Sequence, residues 1–260
     1  MEKSKSPIGL FDSGIGGTSI WREIHKVLPG EDTIYLADSR NAPYGQKTRE
    51  EIIHLSYKNT EFLLEQNCKL IVVACNTATT NAIKELREGF DVPFIGIEPA
   101  IKPAAIHTVT NAIGILATKG TLSSDLFNKT VAGFTGVNVI EQVGYNLVAL
   151  IESGKLESEE IKELLQQYLQ PMIEANIDYL VLGCSHYPYL VPQIREILPP
   201  HVKIIDSGAA VARQTKKVLE AAEMLNRDNG EGISQFYTNA DPAVLTDILG
   251  HKYRVKQKDF

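Results

Sequence analysis

The chain has 260 residues, 43% of them hydrophobic and 22% charged, with a formal net charge of −6. No lysine- or arginine-rich block is present, so the electrostatic footprint of a nucleic-acid binder is missing, and no apolar run approaches the roughly 18 residues that a membrane span requires. "MEKSKSPIGLFD" lacks a basic segment followed by a long apolar one, so no signal peptide is expected, and three cysteines without paired spacing argue for a reducing, cytoplasmic setting. "IGLF" (Ile8 to Phe11) reads as a first strand, ended by the turn "DSGIGG". The next segment places Ile20, Ile24, Val27 and Leu28 on one helical face. "TIYLAD" (Thr33 to Asp38) is a second strand, and Thr48 with Glu51 forms a capping box opening a helix that ends near Gln66. "LIVVA" (Leu70 to Ala74) is a third strand, whose unbroken apolar run predicts burial on both faces, and "VPFIGI" (Val92 to Ile97) is a fourth.

The pattern then restarts. "IGILATKGTLSS" from Ile113 lines up with "IGLFDSGIGGTS" from Ile8, "VNVIEQVG" (Val137 to Gly144) fills the second-strand place, Cys184 of "YLVLGCSHYP" lines up with Cys75 of "LIVVACNTATT", and "VKIIDSG" from Val202 lines up with "VPFIGIE" from Val92. Helices around Asn146 to Glu152 and Ser158 to Glu174 complete the copy. Landmarks in one order at a nearly constant offset indicate duplication of a whole domain. The expected fold is therefore α/β: two pseudo-repeat, doubly wound domains with mainly parallel sheets. No charged or low-complexity linker separates the copies, so a cleft between them is the natural ligand site. The tail holds a helix from about Ala209 to Leu225, the polar linker "NRDNGEG", a short strand "QFYT" and a last helix with Asp241 as N-cap and Pro242 first.

Both cysteines stand at the carboxyl ends of buried strands, where open α/β sheets bind ligands and helix N-termini offer free N–H groups. Such a position, or a nearby cation, can lower a thiol's pKa. Two thiols flanking one carbon suit a two-base exchange, in which one removes a proton from one face and the other delivers a proton to the opposite face. Asp12, ending the neighbouring first strand, and His186, two residues after Cys184, could tune them; a turn residue and a loop histidine are the plainer readings. The glycines of "DSGIGG" could cradle a phosphate, but the G-K-[ST] ending of a P-loop is absent. "PYG" (Pro43, Tyr44, Gly45) reads as a turn whose N–H groups could approach a carboxylate. A cysteine hydrolase using Cys184 and His186 would leave the duplicated Cys75 unexplained. A two-lobed binding module leaves the thiol pair unexplained, and zinc held by Cys75, Cys184 and His186 fits no common structural spacing.

"FDSGIGG", "PYG", "ACNTAT", "GCSHYP" and "DSGAAVAR", in this order along almost the whole chain, resemble the motif set of the glutamate racemases, in the cofactor-independent aspartate/glutamate racemase family. The resemblance implies an enzyme that interconverts L- and D-glutamate without a cofactor or metal and supplies D-glutamate for bacterial peptidoglycan. It implies that Cys75 and Cys184 are the catalytic bases, assisted by Asp12 and His186 respectively. Ser13, Tyr44, Gly45, Asn76, Thr77 and Ser185 would hold the substrate, and Thr118, Thr121 and Glu152 match positions lining similar sites. It also implies a homodimer and a tail that returns to the first domain, giving domains of residues 1–98 plus 208–260 and of residues 99–207. Ser185 stands where the family more often has Thr, which keeps the hydroxyl and loses a methyl. His186 stands where related aspartate racemases tend to carry an acid.

Overall fold

A computed structural model describes residues 3–228 and 230–260, leaving Asn229 of the polar linker outside the described residues. The first half runs β1 (Ile8–Asp12), α1 (Thr18–Val27), β2 (Thr33–Ala37), α2 (Arg49–Glu65), β3 (Leu70–Val73), α3 (Asn76–Gly89) and β4 (Phe94–Gly96). After α4 (Ile101–His107) the second half runs β5 (Ala112–Ala117), α5 (Lys119–Leu122), α6 (Asp125–Ala132), β6 (Asn138–Val143), α7 (Leu147–Glu152), α8 (Glu159–Glu174), β7 (Tyr179–Gly183), α9 (Val191–Ile197) and β8 (Lys203–Ile205). The tail adds α10 (Gly208–Ala221), β9 (Ser234–Thr238), α11 (Ala243–Ile248) and β10 (Val255–Gln257).

These strands form a six-stranded sheet in the order β10-β9-β2-β1-β3-β4 and a four-stranded sheet in the order β6-β5-β7-β8. Each strand pair of the described residues is parallel. The order β2-β1-β3-β4 is thus repeated as β6-β5-β7-β8, with β1 matching β5 and β3 matching β7. Cys75 and Cys184 follow these matching third strands. The tail strands β9 and β10 pair onto β2 and so enlarge only the first sheet.

Local chemistry explains the elements. Thr48 caps α2 by accepting from Glu51 N–H while Glu51 reaches back to Thr48 N–H, the reciprocal box expected from the sequence. Ser158 caps α8 by accepting from Ile161 N–H. β1 and β3 are buried at every position because helices cover both faces. β2 is also wholly buried, whereas its counterpart β6 is half-exposed. The reason is position: β9 covers the outer edge of β2, and β6 is itself an edge.

The tail differs from its sequence reading in three places. α10 ends at Ala221, Pro242 rather than Asp241 is the residue preceding α11, and β10 was not anticipated. Asp241 still works at that end, its carboxylate accepting from Ala243 N–H at 2.9 Å. Three residues carrying two lysine or glutamine side chains give β10 almost no apolar pattern; it forms because β9 offers a free edge.

Candidate active site

β1 delivers Asp12 and Ser13 to the carboxyl edge of its sheet, and β3 delivers Cys75 beside them. Cys75 is the residue preceding α3, in extended conformation, and its sulfur accepts from Ala78 N–H at 3.4 Å. Its thiol faces Ser13 Oγ at 3.7 Å. Asp12 is fully buried; one carboxylate oxygen accepts from Gly17 N–H at 2.8 Å and the other from Ser185 Oγ at 3.2 Å. Burial pushes the Asp12 carboxyl up, against the opposing pull of the His186 charge and the Gly17 bond. Burial and then the Asp12 charge also hold the Cys75 thiol well above its ordinary range, outweighing the Ala78 N–H and Ser13. The helix N-terminus alone therefore does not make this thiol acidic; desolvation is the larger effect.

The second thiol has a different neighbour. Cys184 Sγ lies 3.8 Å from His186 Nδ1, with Ser185 Oγ 3.4 Å from the same nitrogen. The other ring nitrogen, Nε2, meets Glu152 Oε1 at 2.5 Å. Gly16 N–H also points at Nε2 from 3.3 Å, but a carboxylate at the shorter distance favours a proton on that nitrogen, donated to Glu152. Burial opposes the charged ring, yet the bonds to Cys184 and Glu152 and the charges of Glu152 and Asp12 win, holding His186 well above the usual imidazole range. Glu152, at the end of α7, accepts in addition from Ile15 N–H at 2.7 Å and Ser39 Oγ at 2.8 Å, both in the first half. The glycine turn makes this approach possible: a Cβ on Gly14 would lie 1.9 Å from Glu152 Oε1, and one on Gly16 2.3 Å from His186 Nδ1. Thus "DSGIGG" serves close packing between the halves.

Both sulfurs line one narrow cavity between the two halves. Ser13, Tyr44, Gly45, Asn76, Thr77, Thr118, Ser185 and His186 complete its polar wall. Asn76 and Thr77 open α3, where backbone N–H groups have no partner within the helix. Among the described residues, Asn76 Oδ1 is buried without a hydrogen-bond partner. Thr77 Oγ1 lies 2.8 Å from Thr118 Oγ1 and 3.3 Å from Thr121 Oγ1, joining the halves through hydroxyls. Two sequence-expected residues stand behind the wall instead of in it: Thr121, within that hydroxyl cluster, and Glu152, turned towards His186. Asp12 also lies behind, bridging Gly17 and Ser185.

Pro43 and Val148 line the cavity and were not singled out from the sequence. Pro43 lay inside the quoted "PYG". Val148 carries no chemical signal; it reaches the cavity because Asn146, at φ 63°, turns the chain sharply into α7. Cys68 sits in the core, its thiol pushed up to about 12 by burial, as befits an inert residue.

A family model described as Asp/Glu/Hydantoin racemase matches residues 8–215. The chain belongs to this family. It is an enzyme, a racemase. The glutamate racemase of Herpetosiphon aurantiacus is 47% identical over 243 residues, covering 93% of this chain and 96% of that one. Among solved structures, this racemase resembles glutamate racemase isoform RacE1 from Bacillus anthracis, with a TM-score of 0.89, 30% identity, and coverage of 99% and 98%. It also resembles the Escherichia coli glutamate racemase in complex with L-glutamate and the activator UDP-MurNAc-Ala, with a TM-score of 0.84, 32% identity, and coverage of 96% and 97%. Among the described residues no helix is long and apolar enough to cross a membrane.

Proposed function

We propose that this racemase interconverts L- and D-glutamate by proton exchange at Cα between two cysteines, with no metal or organic cofactor taking part. The observation that carries the reading is the shared cavity: Cys75 and Cys184 enter it from matching strands of two like-ordered sheets. In one direction a thiolate at one cysteine takes the Cα proton while the thiol of the other returns a proton to the opposite face. The roles exchange in reverse. The family and the named relatives support glutamate as the substrate, and the donor groups of the wall suit an amino acid with two carboxylates.

The free N–H groups at the start of α3 and in the Tyr44–Gly45 turn, with the hydroxyls of Ser13, Thr77, Thr118 and Ser185, would hold the carboxylates. Asn76 Oδ1 is an unpaired acceptor for the ammonium. An ammonium in this cavity would also offset the burial and Asp12 charge that keep Cys75 protonated, so substrate entry would make that thiol a stronger acid. On the other side the His186 imidazolium, held by Glu152, would stabilise the Cys184 thiolate or return a proton to it. Thr121 and Glu152 then act through Thr77 and His186 rather than on the substrate.

We further take residues 1–98 with 208–260 as one domain and residues 99–207 as the other. The enzyme would work as a cytoplasmic homodimer whose D-glutamate feeds peptidoglycan synthesis. The test is α-hydrogen exchange in D₂O over a panel of amino acids. Deuterium should enter both glutamate enantiomers and scarcely enter aspartate; the reverse pattern would overturn the substrate.

A further inference from the structure

Each half carries a tyrosine after its second strand, and the first of them lines the reaction cavity. Tyr44 follows β2 and is 1% exposed; Tyr145 follows β6 and is 50% exposed. A tail residue packs beside the first turn. Asn239, directly after β9, is 2% exposed and both ends of its amide are engaged. Its Nδ2 donates to Asp38 Oδ1 at 2.5 Å, and its Oδ1 accepts from Arg40 N–H at 2.9 Å. Asp38 is 1% exposed and, among the described residues, has no salt-bridge partner. It is held by hydrogen bonds: Asn41 Nδ2 donates to Oδ1 at 2.8 Å, and the Tyr44 hydroxyl donates to Oδ2. Asn59 Nδ2, from α2, donates in turn to the Tyr44 hydroxyl at 3.1 Å.

We propose that Asn239 is a positioning residue that sets the Pro43–Tyr44–Gly45 turn for substrate through Asp38. The inference rests on the reading above of Tyr44 and Gly45 as substrate-binding residues. A buried carboxylate without a cation depends on each of its donors, and the bonds from Asn41, Tyr44 and Asn239 together hold Asp38 in one geometry. Asn239 is the member supplied from outside the repeated unit. It anchors the carboxylate, the carboxylate anchors the tyrosine, and the tyrosine places the neighbouring Gly45 N–H, whose α-carbon packs against Thr118 so closely that a Cβ there would lie 2.7 Å from the threonine. The tail thereby shapes one wall of a cavity that it does not line.

Full-length Asn239→Ala, Asn239→Asp and the exchange Asp38→Asn/Asn239→Asp test this beside the wild type, with KM, kcat and melting temperature measured for glutamate racemisation. Removing one donor to a charged acceptor should raise KM about tenfold in Asn239→Ala, with kcat within about twofold. Asn239→Asp sets two carboxylates together and should raise KM further. The exchange restores a donor–acceptor pair with its sense reversed and should bring KM back to within about threefold of wild type. An unchanged KM in Asn239→Ala, a fall in kcat in place of the rise in KM, or a failure of the exchange to recover KM overturns the proposal. Should the single variants not fold, the exchange variant decides by the same KM criterion. A wild type inactive on glutamate would sink the proposed function itself and take this inference with it; an active wild type with indifferent Asn239 variants sinks the inference alone.

Discussion

The two cysteines share a backbone setting and differ in what surrounds them. Cys75 has an acid nearby, Asp12, and a hydroxyl, Ser13; Cys184 has an imidazole, His186, fixed by an acid. Burial acts on both regions. In the first, the charge of Asp12 adds to burial and keeps the thiol protonated. In the second, the bonds to Cys184 and Glu152 and the charges of Glu152 and Asp12 outweigh burial and raise the imidazole well above its ordinary range. Duplication copied the strand and the turn, and the residues after the strand, "CNT" against "CSH", set the electrostatics. A symmetric scaffold thus gives its two thiols unlike neighbours.

The strongest way to break this comparison is to replace each sulfur. Cys75→Ser and Cys184→Ser should each lose at least about 100-fold in racemisation, the scale of one positioned acid–base group. Residual deuterium exchange should be confined to one enantiomer in the first variant and to the other enantiomer in the second. The same enantiomeric preference in both variants would mean that the thiols do not face opposite sides.

Substituting the two acids should move stability in opposite directions. The folded value of His186 is raised, so its contribution to stability is complete below the ordinary value near 6.5 and fades as pH climbs through the folded value. Glu152→Gln removes a charged hydrogen bond, typically 1.5–3 kcal/mol, and should cost more stability at about pH 6 than at about pH 10. The folded value of Asp12 is raised as well, so here too stability is lost as pH rises, from the ordinary value near 3.8 through the folded one. Asp12→Asn should therefore raise the melting temperature at neutral pH while slowing racemisation. Thermal scans across pH on both variants check the pair.

The smallest effect is expected where the halves meet through neutral hydroxyls. Thr77→Val removes the link to Thr118 and Thr121, worth about 1 kcal/mol, and should raise KM several-fold with the pH profile unchanged. A shifted profile would place Thr77 in the proton path.

Much of this architecture was legible in the residues. The apolar runs of β1 and β3, the Thr48 cap and the restart at Ile113 each carry a local physical signature, so element type and duplication could be read in one dimension. Even the contrast between apolar "TIYLA" and polar-flecked "NVIEQV" reports that β2 is covered and β6 is an edge. The tail was harder. β10 owes its existence to an open strand edge, and Asn239 looks like any polar residue after a short strand until Asp38 is placed opposite it.

What the sequence alone determined was the repeated α/β unit, the placing of both thiols at strand ends and the residue types available to each, because periodicity, caps and turns act over a few residues. What tertiary structure decided was the sign of each residue's contribution. It turned Glu152 from the cavity to His186, buried Cys75 deeply enough that desolvation overrode the helix N-terminus, and seated the tail beside Tyr44. These outcomes depend on distance and solvent exclusion between segments far apart in the chain, and a linear pattern carries no record of either.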